Sequence, residues 1–145
     1  MSLIPASLND RYAGARSSVV YLWVVAALTI LPGLIHSFLP DGGAQSIAHL
    51  EVGDKGELVR GLFAWEGATQ LAMGAAMAMV AWRCQPLVPF FLALALLERA
   101  LMSLDGWVLL PPSGGHHPPE HYASLISLPL TLIFLVLAVR PRERG

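Results

Sequence analysis

The sequence predicts an all-α membrane protein, a four-helix bundle with the amino and carboxyl termini both in the cytoplasm. Of the 145 residues, 55% are hydrophobic and 13% are charged, whereas soluble domains carry about 25% charged residues. The charges stand in short segments between four long apolar runs, and the mean hydropathy is +0.60. Such a pattern is typical of a chain surrounded by lipid, so we expect a single multi-pass domain in the cell inner membrane.

Each of the four apolar runs is long enough to cross the hydrocarbon core, which takes about 20 helical residues. The first run stops at the turn formed by residues 40–43, the second at Arg83 and the third at Pro111. Together the runs leave no room for a separate soluble domain. The predicted spans cover residues 19–38, 61–82, 86–110 and 123–139.

The direction of the bundle follows from the lysines and arginines outside the spans. Six lie on the side of the termini and two lie on the other side. Because cytoplasmic segments carry an excess of positive residues, both termini are predicted to be cytoplasmic. The six are Arg11, Arg16, Arg83, Arg140, Arg142 and Arg144, and the two are Lys55 and Arg60.

Charge and cysteine content exclude some classes of partner. The formal net charge is −1, so no basic surface is expected to attract nucleic acid. Cys84 is the single cysteine, which rules out an internal disulfide and a cysteine-based zinc motif. The partners we expect are the lipid bilayer and either a lipophilic ligand or a larger membrane complex.

Several polar residues fall inside the predicted spans, where a charge costs roughly 2.5–3.5 kcal/mol near the bilayer centre. Such residues usually face the protein interior. Glu66 and Asp105 are expected about 7 Å below the outer surface and, together with His36, form an outer polar layer. Below it we expect three candidate ligand-binding residues: Gln70, Glu98 and Arg99.

Two interpretations of this polar group remain open. In the first, Arg99 neutralises Glu66 or Glu98, and the network fixes the register of the helices. In the second, the side chains form a ligand or proton site that opens outward. If that site is catalytic, Glu66 or Asp105 is the expected acid, and the expected base is His36 or His121.

The loop before the fourth span contains three histidines and a glutamate within six residues. Imidazole and carboxylate groups are ligands of zinc, copper and iron, so a transition metal is the cofactor that the sequence suggests. The alternative is a solvated loop with one histidine capping the fourth helix. The candidate ligands are His116, His117, Glu120 and His121.

Two short motifs give the chain a family resemblance. An Arg-Gly pair at residues 60–61 precedes the second span, and Arg99 is followed by a Ser-x-Asp-Gly element at residues 103–106. In these motifs the chain resembles DoxX-like families of small bacterial four-helix membrane proteins, over roughly residues 31–139. The resemblance implies the fold and the topology but no activity, because those families have no established common chemistry. Glu66 and the histidine-rich loop depart from the pattern.

Three functions are compatible with these features. The leading one is a binding protein, whose outward-facing pocket of histidine and carboxylate side chains holds a metal or a small lipophilic ligand. The second is an intramembrane enzyme that applies acid–base chemistry, such as isomerisation or cyclisation, to a lipid-soluble substrate. The third is a non-catalytic accessory subunit that packs against a larger membrane complex through a ridge of small residues. The ridge comprises Ala64, Ala68, Ala72 and Ala76.

A reporter enzyme that is active only in the periplasm tests the predicted orientation. Fused after Gly145, the reporter is expected to be silent, because the arginine-rich end is held in the cytoplasm. Inserted between Pro112 and Gly115, it is expected to be active. Immunoblotting checks that both fusions are present at equal levels. Activity at Gly145 together with silence in the loop would reverse the orientation.

Overall fold

The computed structural model describes residue 4, residues 6–112 and residues 114–141. This part of the chain is all-helical and contains no strand, so the predicted all-α four-helix fold is confirmed. The helix α3 continues into a π-helical turn, Asp105–Leu109. The four helices are α1 (Arg16–Phe38), α2 (Gly56–Arg83), α3 (Val88–Leu104) and α4 (Pro119–Val139).

Three helical segments are long and apolar enough to cross a membrane: Arg16–Phe38, Gln85–Leu109 and Pro119–Val139. Helix α2 has 28 residues, about 42 Å of helix, but its composition is more polar because it contains Glu66 and Gln70. Its span therefore stays a prediction, as does the cytoplasmic location of the termini. Two of the arginines used for that orientation, Arg142 and Arg144, lie outside the described residues.

The helices pack as two antiparallel hairpins. Helix α1 packs mainly on α2, and α3 packs mainly on α4, while contact between α1 and α4 joins the two hairpins. Helices α2 and α3 make little contact with each other. Across the bundle the helices therefore follow the order α2, α1, α4, α3, and a polar side chain on α2 is remote from most of α3.

The hydrophobic core lies at the end of the bundle that carries both chain ends and the α2–α3 turn, here called the terminal end. Its fully buried side chains include Leu22, Met77, Val88 and Leu92. The segment before α1 closes this end, because the Asn9 side-chain amide donates to the Trp82 carbonyl at 2.7 Å and the Leu8 N–H donates to Arg83 at 2.8 Å. The opposite end, which carries the two long loops, is called the loop end.

Close contact between α1 and α2 depends on glycine. A Cβ added at Gly67 would lie 2.8 Å from the Gly33 carbonyl oxygen, and one at Gly74 would lie 2.5 Å from Ile30 Cγ1. Both distances are shorter than side chains tolerate. Ala68 and Ala72 of the predicted alanine ridge are exposed, so the ridge takes no part in this contact, and its packing on a larger complex stays a prediction. Small residues allow helices to approach closely, and here those residues are glycines on another face of α2.

Substituting Gly67 by alanine is expected to destabilise the protein by about 1–3 kcal/mol, the usual cost of overpacking. Gly61, on the same helix, is a matched control, because a Cβ there meets nothing within 4 Å. Gly61→Ala is expected to be neutral or stabilising, by up to about 1 kcal/mol, because alanine favours helix. Unfolding in mixed detergent micelles, followed by circular dichroism, measures both. Equal stability of the two variants would contradict the glycine contact.

Candidate ligand-binding groove

A groove of about 300 Å³ lies between α1, α3 and α4. Loop residues Gly43 and Ile47 cover it at the loop end, and Ala95 and Arg99 of α3 form its third wall. Most of the lining is apolar. Helix α1 contributes Tyr21, Val25, Leu28, Pro32, Ile35 and His36, and α4 contributes Pro119, Glu120, Ala123, Ser127 and Thr131.

The groove is long and narrow. The α1 side chains recur every three or four residues and the α4 side chains every four, so each set lies on one helical face. Tyr21 and His36, at its two ends, are separated by about 22 Å of helix. A volume of about 300 Å³ spread over that length accommodates a slender molecule lying parallel to the helices.

The terminal end of the groove is closed by polar groups that satisfy one another. The hydroxyl groups of Tyr21 and Thr131 are hydrogen-bonded at 2.8 Å. The Tyr21 ring stacks on Phe134 with 4.2 Å between ring centroids. This end therefore offers an apolar floor to a ligand.

His36 lies at the loop end of the groove and is 5% exposed. Its Nδ1 lies 2.7 Å from the Gly42 carbonyl oxygen, which can only accept, so Nδ1 carries a proton. The other ring nitrogen, Nε2, lies 3.8 Å from Glu120 Oε1. The ring also packs on Phe63, at 4.8 Å between centroids. In the neutral ring, Nε2 is thus an acceptor held beside a carboxylate.

Arg99 lies in the wall of the groove, and its side chain is 17% exposed. Its Nη2 lies 3.9 Å from Glu98 Oε2, and its Nη1 donates to Met102 Sδ at 3.6 Å. Of the two partners predicted for this arginine, Glu66 and Glu98, the structure provides Glu98. Because the Glu98 side chain is 40% exposed and the separation is long, this pair is weak. A guanidinium has five N–H donors, and these two contacts leave several for a ligand.

The predicted polar layer is split between different parts of the bundle. Glu66 is exposed on α2, where it accepts a hydrogen bond from Gln70 Nε2 at 3.1 Å. Gln70 Oε1 is buried without a hydrogen-bond partner. Asp105 is exposed at the start of the π-helical turn. Only His36 and Arg99 line the groove, because the glycine contact holds α2 against α1 and away from α3.

The predicted metal site on the loop is not assembled. Within the described ranges, no three His, Cys, Asp or Glu side chains come together in a way that could hold a metal ion. His117 stacks on Trp107 at 4.0 Å between centroids, and its Nδ1 lies 3.0 Å from Nδ1 of His121. His116 is exposed, and Glu120 faces His36.

The start of α4 explains why the predicted ligands separate. The helix begins at Pro119, so the adjacent residues Glu120 and His121 point about 100° apart around its axis. Glu120 lines the groove, whereas the ring of His121 packs on Gly106. An extended loop would leave these side chains free to converge on one ion, but a helical turn does not.

Some groove residues were missed by the sequence analysis. Glu120 was assigned to a metal, although it is the neighbour of His36, and Ser127 and Thr131 were not singled out. The signal available was their spacing, since Glu120, Ser127 and Thr131 fall seven and four residues apart on one helical face. Tyr21 gave no signal, because an aromatic residue in an apolar run is usually a packing residue.

Asp41 orders the loop that covers the groove. Its carboxylate accepts hydrogen bonds from the backbone N–H groups of Gly43, Gln45 and Ser46 at 2.7–3.0 Å. The bonds from Ser46 and Gly43 lower the pKa of Asp41 to about 2. Gly42 and Gly43 have φ values of 64° and 85°, a left-handed conformation that glycine adopts without strain.

Replacing Asp41 by alanine is expected to expose the amides of Gln45 and Ser46 to hydrogen exchange, because the carboxylate that accepts their hydrogen bonds is lost. In the unchanged protein, the protection that Asp41 provides is present above its ordinary pKa of 3.8 and is lost as the pH falls through about 2. Protection factors measured by NMR check both expectations. Asp54→Ala, in the same loop, is the control, and equal protection in both variants would contradict the assignment.

Comparison with known proteins found no matching family model, no similar curated protein and no similar solved structure. The resemblance to DoxX-like membrane proteins therefore stays an expectation from the short motifs at residues 60–61 and 103–106. What is established is the all-helical four-helix fold with three segments apolar enough to cross a membrane.

Proposed function

We propose that this chain is a membrane protein that binds a small lipophilic molecule in the groove between α1, α3 and α4. The observation that supports the proposal is the groove itself, which is mostly apolar and has the polar side chains of His36, Arg99 and Glu120 in its wall. Ligand pockets of about 300–1,000 Å³ with a few convergent polar groups in an apolar lining are typical small-molecule sites. The volume of about 300 Å³ suits a small ligand.

The position of the groove favours a ligand that arrives from the lipid. Leu28, halfway along α1, belongs to the lining and is also 59% exposed. In a membrane-embedded bundle, such an exposed apolar side chain faces lipid tails. A lipophilic molecule would therefore reach the groove sideways, from the bilayer. A strongly hydrated molecule would have to cross an apolar wall and lose its water there, which is costly.

Filling the groove is expected to abolish binding. Ser127 lies in the α4 wall, and Ser127→Phe places a ring in the narrow passage. Thr69 of α2 is a matched control, because it is exposed and its hydroxyl makes the same kind of bond, to the carbonyl three residues earlier. Thr69→Phe therefore loses a similar local hydrogen bond without entering the groove.

Native mass spectrometry of protein purified from membranes in mild detergent measures the bound lipophilic molecule. The unchanged protein and Thr69→Phe are expected to retain it, and Ser127→Phe is expected to show at least about tenfold lower occupancy, a difference of about 1.4 kcal/mol. Circular dichroism checks that both variants remain folded. The same occupancy in folded Ser127→Phe as in the unchanged protein would overturn the proposal, and so would a lack of any bound molecule.

A further inference from the structure

The shape of the groove favours a slender ligand. Its lining follows one face of α1 and one face of α4 over about 22 Å. One unbranched hydrocarbon chain, extended parallel to the helices, matches this elongated and mostly apolar lining.

The polar groups determine the direction in which the hydrocarbon chain of the ligand lies in the groove. The contact with Met102 draws the Arg99 guanidinium one helical turn towards the loop end. A hydrogen bond of 3.1 Å between Ser103 and Ser124 aligns α3 with α4, which puts this guanidinium within about 8 Å of Glu120 along the bundle. Arg99 therefore lies in the loop-end half of the groove, below His36 and Glu120, and the apolar tail extends towards Tyr21.

Of these polar groups, Arg99 has the most hydrogen-bond donors without a partner, so it determines which head group the ligand carries. Arg99 is more buried than Glu120, whose side chain is 37% exposed and can be hydrated. A guanidinium with free donors binds carboxylate in a planar, two-bond geometry, and the attraction is strong where water is excluded. The carboxylate of Glu120 acts in the opposite direction, because it repels a second anion.

We infer that the ligand is a long-chain carboxylic acid, with its carboxylate on Arg99 and its unbranched tail along α1 and α4. This inference rests on the proposed function, since it names the class of molecule that the groove holds. His36 Nε2, fixed as an acceptor by the bond from Nδ1 to Gly42, faces the head together with Glu120. His36 and Glu120 lie at the mouth of the groove, and Arg99 attracts the carboxylate of the ligand.

A displacement experiment with three ligands of one chain length tests the head group. A radiolabelled long-chain acid is bound to immobilised protein in detergent and displaced by the unlabelled acid, alcohol or amine. Signal on Ser127→Phe, which has a filled groove, measures partition into micelles and is subtracted. The acid is expected to bind at least about tenfold more tightly than the alcohol or the amine.

Two variants are expected to change the affinity for the acid in opposite directions. Arg99→Gln is expected to weaken binding of the acid by about tenfold or more while changing binding of the alcohol by less than about twofold. Glu120→Gln is expected to tighten binding of the acid, because it removes a nearby negative charge. Arg60→Gln, at an exposed position on α2, is the control and is expected to leave all affinities unchanged.

The outcomes separate the two proposals. If the alcohol displaces the label as well as the acid does on the unchanged protein, the head-group inference is overturned and ligand binding in the groove stands. If no ligand gives saturable displacement above the Ser127→Phe background, the head-group inference fails together with the groove as a site for single-chain molecules. The ligand series uses the unchanged protein, so the test holds even if Arg99→Gln does not fold.

Discussion

Helices α1 and α2 approach each other closely at Gly33, Gly67 and Gly74, and this contact determines where the other two helices can pack. Because α2 lies against one face of α1, the remaining face of α1 is left to α4. The four helices converge around the buried core at the terminal end. Helices α1, α3 and α4 enclose a groove of about 300 Å³ that runs from Tyr21 to the loop end. A contact between glycines thus determines the position of a cavity on another side of α1.

The contact between α1 and α2 also determines where the charged side chains lie. Glu66 and Gln70 hydrogen-bond to each other on α2, whereas Arg99, His36 and Glu120 line the groove. In a low-dielectric surrounding, a charge needs a partner close by, and the pair of Arg99 with Glu98 is long and partly exposed. A ligand with a negative charge would therefore stabilise Arg99 more than any other group in the groove. His36, by contrast, is already oriented by its bond to Gly42.

The fold could be predicted from the sequence because it follows from long apolar runs, and the helices extend over all four of them. The site was harder to predict, because the spacing of residues along the sequence does not show which helices pack against each other. Glu66 and Asp105 share a calculated depth but belong to helices that scarcely touch. The contact between α1 and α2 is made by glycines, and not on the face of α2 that the alanines repeated every four residues indicated as a packing surface. Glu120 and His121 resembled metal ligands only while residues 119–122 were assumed to be an extended loop.

Paramagnetic NMR with a long-chain acid that carries a nitroxide near the end of its tail shows whether one chain lies in the groove. If it does, the methyl signals of Ala95 and Thr131 broaden, because both side chains line the groove, and they recover when unlabelled acid is added. Broadening confined to the exposed residues Val20 and Ile133, and unchanged by the competitor, would place the acid in the surrounding lipid and contradict binding in the groove.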